Sequence, residues 1–139
     1  MRHRGGHSLV ELLLALAIVA ILAALAVPAY GRYAYRVRRV EGKELLLRIA
    51  QAQELHYASY SRYGELGELG FHVPAWSERG FYRAVLRLGA GVHPQTFVAI
   101  AWPSSLQAGD ACGALAIDDA GRKVPEAKDA VAYGNGVCW

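Results

Sequence analysis

The chain has 139 residues, enough for one domain plus an N-terminal segment, and 54% of them are hydrophobic, with the excess over the usual globular share gathered near the start. Its formal charge of +3, from 15 basic and 12 acidic residues, is too balanced to imply nucleic-acid binding by itself. The two cysteines, Cys112 and Cys138, lie near the C-terminus; in an exported chain an even pair points to a disulfide, which loop-closure entropy values at roughly 3.5 kcal/mol. Two buried free thiols are the other reading.

The start divides into a basic stretch Met1–Gly6, a short segment His7–Glu11 and an uninterrupted apolar run from Leu12 to Val27. Extended from Leu9 to Tyr30 and folded as a helix, the run spans about 33 Å, enough to cross a hydrocarbon core of about 30 Å. Being apolar on every face, it belongs in a membrane or in the centre of an assembly. A conventional secretory signal would be cut after its apolar stretch, where Ala26 and Ala29 stand. Two features oppose that: the run exceeds an ordinary signal core, and Gly5-Gly6 precedes it. Glu11 is out of place in such a run, since a carboxylate at the centre of a membrane helix costs about 2.5–3.5 kcal/mol. Ser8-Leu-Val-Glu11 fits a helix capping box, and the carboxylate suits the positive end of the helix dipole.

These residues resemble the type IV pilin N-terminal motif: Gly6 before the cut, then Ser8, Leu9, Val10 and Glu11, then an apolar helix with Pro28 at the family's kink. Glu11 and Pro28 stand at the family's fifth and twenty-second mature positions, while His7 stands where the family has Phe. The resemblance implies a leader of residues 1–6, removed after Gly6 by a prepilin peptidase that methylates the new amine on His7. It implies a filament-core helix over residues 7–30 and a head domain over residues 31–139. Arg2 and Arg4 would leave with the leader, taking the formal charge from +3 to +1. Glu11 would pair with the amine of a neighbouring subunit, because a buried charge needs a partner and a paired one sets register.

Pro28 removes a backbone donor, so a helix through it should kink, and Gly31 and Gly42 should loosen the stretch beyond it. In that stretch Tyr30, Tyr33, Val37, Val40, Leu46, Ile49, Gln53, Tyr57 and Tyr60 recur at helical spacing, which predicts one long helix from about Ser8 to Ser59. Arg32, Arg36, Arg38 and Arg39 make the part just after Pro28 basic. Three readings are ranked: a solvated face with i,i+4 pairs first, contact with anionic lipid headgroups second, and DNA binding third.

Ser61–Gly80 reads as a Gly- and Pro-containing loop whose Tyr63, Phe71 and Trp76 pin it to the core. Strand-like runs come next at Phe81–Leu88, Thr96–Trp102 and Ala114–Asp118, with turn chemistry at Gly89-Ala-Gly91 and Asp119-Ala-Gly121. Arg83 and Arg87 fall on the face opposite Tyr82 and Leu86. The predicted fold is α+β, one kinked helix packed on a small antiparallel sheet. Cys112–Asp118, Gly121-Arg-Lys123 and Cys138-Trp139 resemble the C-terminal disulfide region of PilE-like minor pilins, as do Gln53-Glu54, Tyr57 and Ser61-Arg-Tyr63.

Enzyme signatures are not found. His56, His72 and His93 share no metal-ligand spacing, no nucleophile elbow, P-loop or dinucleotide fingerprint occurs, and adjacent Asp118 and Asp119 read as a turn. No catalytic residue, metal or cofactor is expected. The reading is a minor pilin of a bacterial type IV pilus, supporting assembly, twitching motility and adhesion. Its implied partners are other pilin subunits, the peptidase/N-methyltransferase, the inner-membrane assembly platform, and the inner membrane before assembly. The head would face the periplasm first and lie on an extracellular filament later. A type II secretion pseudopilin and a DNA-binding competence pilin are the alternatives.

Overall fold

A computed structural model describes residues 8–125 and 138–139. Gly6 and His7, and so the expected cut and methylation site, lie outside the described residues. The elements are one helix, α1 (Leu9–Tyr60), and five strands: β1 (Ala75–Trp76), β2 (Tyr82–Leu88), β3 (Phe97–Pro103), β4 (Leu115–Asp118) and β5 (Lys123–Val124). The fold is the expected α+β arrangement. The strands form one antiparallel sheet in the order β1-β2-β3-β4-β5.

Cα packing divides the chain into two compact units, Met1–Ala34 and Tyr35–Trp139. In the first, Ser8 starts α1: Leu12 N–H donates to its carbonyl at 3.1 Å, and Val10 N–H donates to its Oγ at 3.4 Å. That is N-capping through the second helical amide. The segment is long and apolar enough to cross a membrane. Its large side chains are open, from Leu9 at 75% exposure to Val27 at 71%. Pro28 lies inside α1.

In the second unit, the head, Leu45, Leu46 and Ile49 of α1 pack on the inner face of the sheet. That face is floored by alanines, Ala75, Ala84, Ala99 and Ala101, with Phe97, Leu115 and Ile117 around them. Small side chains under the helix allow close approach, and the larger residues close the edges. Gly42 belongs to this fit: a Cβ there would stand 2.9 Å from the Tyr82 ring. It is therefore a packing glycine rather than the loosening one its sequence position suggests. The predicted stripe holds at Leu46, Ile49 and Gln53, which are buried, whereas Tyr30, Tyr33, Val37, Val40 and Tyr60 are exposed.

The loop after α1 is tied down by Gln53, whose amide donates to Gly64 O at 2.8 Å and accepts from Gly64 N at 3.0 Å. Tyr63 is buried and Phe71 packs against the core as expected. Trp76 does not, being in β1 and 50% exposed. Cys112 and Cys138 form the disulfide, with Cα atoms 5.7 Å apart.

Candidate functional site

Among the described residues, three places carry candidate functional chemistry: the apolar segment, a buried polar knot in the head, and the outward face of the sheet. In the apolar segment Glu11 occupies the first turn of α1, and the Ser8 cap fixes where that turn begins.

The polar knot overturns part of the expectation for the basic stretch. Arg39 is 1% exposed. Its guanidinium grips Asp110 in a fork, Nε to Oδ2 at 2.8 Å and Nη2 to Oδ1 at 2.6 Å. It is therefore withdrawn from any lipid or DNA surface, because a buried charge is tolerated only when paired. Asp110 also accepts from Cys112 N at 3.2 Å, from Gln107 Nε2 at 3.1 Å and from Tyr82 Oη at 3.4 Å. Gln107 Nε2 further donates to Tyr35 O and Tyr82 Oη. Burial pushes the Asp110 carboxyl up, but Arg39 and the donors around it outweigh this and hold its pKa below the ordinary carboxylate value. Burial likewise pushes the Tyr82 phenol up to about 12.

Arg38 is also engaged: it donates to Leu106 O at 3.1 Å and lies 4.9 Å from the centre of the Phe81 ring. Glu41, which follows closely in α1, pairs with Arg79 of the loop, 38 residues away, rather than with these arginines. Burial raises the Glu41 pKa, and the Arg79 amide and side chain lower it by more. Of the four candidate arginines, Arg32 and Arg36 are the exposed ones.

The outward face of the sheet carries the remaining chemistry. The register pairs Trp76 with Arg83 and Arg83 with Trp102. A second row joins Val85, Ile100, Ala116 and Val124, and a third joins Arg87, Val98 and Asp118. Arg83 and Arg87 are exposed, and neither makes an ion pair or hydrogen bond among the described residues. Asp118, the acid of this face, is committed to the β4–β5 turn: it accepts from the amides of Ala120 and Arg122 and from Arg122 Nε at 2.6 Å. Those Arg122 bonds outweigh burial and lower its pKa. The adjacent-aspartate turn is thus as expected. The face is left with unneutralised positive charge. Sequence reasoning placed Arg83 and Arg87 on one face but did not single them out, since two arginines at spacing four in a strand are a common pattern.

Comparison with known proteins matches residues 28–116, more than half of the chain, to the family model described as type IV minor pilin ComP, DNA uptake sequence receptor. Residues 1–27 match the prokaryotic N-terminal methylation motif. Among curated protein sequences none matches. A solved type IV pilin from Shewanella oneidensis is similar at 26% identity and a TM-score of 0.52, over 66% of this chain and 91% of that one. The Neisseria meningitidis non-core minor pilin PilV aligns at 22% identity and a TM-score of 0.49, over 66% of this chain and 86% of its own. With an apolar N-terminal helix carrying the methylation motif, one helix on an antiparallel sheet and a C-terminal disulfide, this chain belongs to the ComP family of type IV minor pilins.

Proposed function

We propose that this minor pilin captures DNA for a type IV pilus through the outward face of its head sheet. The supporting observation is Arg83 and Arg87, exposed on that face without a carboxylate partner, in a chain whose family is described as a DNA uptake sequence receptor. Cationic side chains that neutralise phosphates release condensed counterions, which supplies sequence-independent affinity. The arginines after Pro28 contribute less than their number suggests, because Arg39 and Arg38 are occupied within the head.

The N-terminal segment supplies the assembly half of the function. The leader is cut after Gly6 by the prepilin peptidase and the His7 amine is methylated. Residues 7–30 hold the subunit in the inner membrane with the head in the periplasm, until the assembly platform moves it into a filament. There Glu11 pairs with the N-terminal amine of a neighbouring subunit. Such a pairing between neighbouring subunits fixes the axial register of the two helices. The chain works by binding and assembly, without a catalytic residue.

The test is fluorescence anisotropy with labelled duplex DNA and the full chain in detergent, across a salt series. Affinity should fall with salt on a log–log slope of about −0.9 per phosphate contacted. No binding at low salt would leave a filament subunit for assembly, twitching and adhesion alone.

A further inference from the structure

We infer that the cross-strand row Trp76–Arg83–Trp102 is a stacking platform for unpaired DNA bases. The inference rests on DNA being the ligand and adds where, and in what form, it is held. Three neighbouring strands each give one residue to the row, and antiparallel register sets the three side by side across the sheet, with Trp76 at the edge beside Leu45 and Arg48 of α1. Trp76 and Trp102 are 50% and 47% exposed, while the head's Tyr82 and Phe97 are 0% and 1% exposed. The ring contacts of the described residues involve His56, Tyr57, Tyr60, Tyr63 and Phe97, and the cations over rings serve Phe71, Phe81 and Trp139. Among the described residues, neither of these two indoles stacks on another ring or lies under a cation. Two half-exposed tryptophans flanking an exposed arginine lie outside the core cluster, and water is a poor partner for their open faces.

The spacing selects the ligand. Strands lie about 4.8 Å apart, so the two indoles are carried roughly 9–10 Å apart with Arg83 between them. One base sandwiched between two rings needs only about 7 Å, twice the stacking rise of about 3.4 Å. Two successive bases therefore lie one on each indole, with the Arg83 guanidinium at the phosphate linking them. Arg87 stands four residues along β2, about 13 Å on, where the next phosphates pass. Val85 and Ile100, partly buried between the arginine rows, offer an apolar floor for sugars. Exposed aromatics on neighbouring strands with cations beside them are how sheets hold single strands without reading their sequence. A closed duplex hides its base faces, so the platform acts on single strands, frayed ends and flipped bases. Glu65, which borders the groove beside Arg83, disfavours a second phosphate on that side.

The experiment uses the full chain in detergent with labelled oligothymidylate, a blunt duplex of equal length, and an uncharged β-glucan oligosaccharide as the rival that also stacks on indoles. Thymidylate should quench tryptophan fluorescence. Trp76→Ala and Trp102→Ala should each weaken thymidylate binding by about five- to a hundred-fold. Duplex binding should change less than about two-fold, and Trp102→Phe should retain most of the affinity. Arg83→Ala should weaken both forms of DNA and reduce the salt slope by about one. Tryptophan variants that bind thymidylate like the parent, or that lose both forms equally, overturn the platform while leaving duplex capture intact. Binding of the glucan in preference to thymidylate overturns it as well. If neither form of DNA binds at low salt, DNA capture itself fails and the platform with it.

Discussion

Breaking the Arg39–Asp110 fork should be among the most damaging single changes in the head, and the two sides should not cost the same. Both side chains are almost fully buried, 2% and 0% exposed. Removing one member of a buried pair costs about 3–5 kcal/mol, because it strands an uncompensated charge. Arg39→Ala leaves Asp110 with Cys112 N, Gln107 Nε2 and Tyr82 Oη still donating, which places it near the lower value of about 3 kcal/mol. Asp110→Ala removes the carboxylate from Arg39 and the acceptor from three further donors, which places it near about 5 kcal/mol. A neutral pair of similar volume, Arg39→Met with Asp110→Leu, should cost far less than the sum, since an apolar replacement leaves no stranded charge. Urea unfolding of the chain in detergent, followed by tryptophan fluorescence, gives each value. Single variants within about 1 kcal/mol of the parent, or a neutral double variant as weak as the two singles summed, would show that the fork does not carry the docking of α1.

Acid should destabilise the head. Asp110, Glu41 and Asp118 have folded pKa values below their ordinary ones, so their contribution is present above about pH 4 and lost as pH falls through the folded values; an unchanged melting temperature between pH 5 and 2 refutes this. At the alkaline end Tyr82 and Tyr63 ionise near 12 against an ordinary value near 10, so stability should decline above about pH 10. Gly42→Ala should destabilise by about 1–3 kcal/mol through its 2.9 Å approach to Tyr82. Gly31→Ala, with nothing within 4 Å, should stabilise by up to about 1 kcal/mol; equal effects from the two substitutions would remove the packing role of Gly42. Gln53→Ala should cost about 1–3 kcal/mol by leaving the buried Gly64 amide and carbonyl unsatisfied, measured by the same urea titration.

The apolar helix was legible because its signal is one-dimensional: apolarity, length, the Ser8 cap and Glu11 are all local. The disulfide followed from having only two cysteines. Three of five strands were legible to within a residue or two, through β-branched and aromatic runs. β1 and β5 have two residues each and are too short to show a period; pairing with a longer neighbour makes them strands. Arg39 was misplaced because its partner lies 71 residues away, and a buried arginine in a basic run looks like its solvated neighbours. Gly42 was read through its helix propensity, while the reason for it is a tyrosine from another element. Trp76 and Trp102 became a pair only when the register set both against Arg83.

The pair Cys138-Trp139 is fastened twice. Trp139 Nε1 donates to Val124 O at 2.8 Å, and Cys138 is bonded to Cys112 beside the Asp110 knot. One fastening is covalent and the other a single hydrogen bond, so a reducing agent should free Cys138 and leave Trp139 its contact with Val124. Cys138 and Trp139 thereby stitch β5 to the turn that carries Asp110, so an oxidising compartment adds a covalent hold beside the Arg39–Asp110 fork.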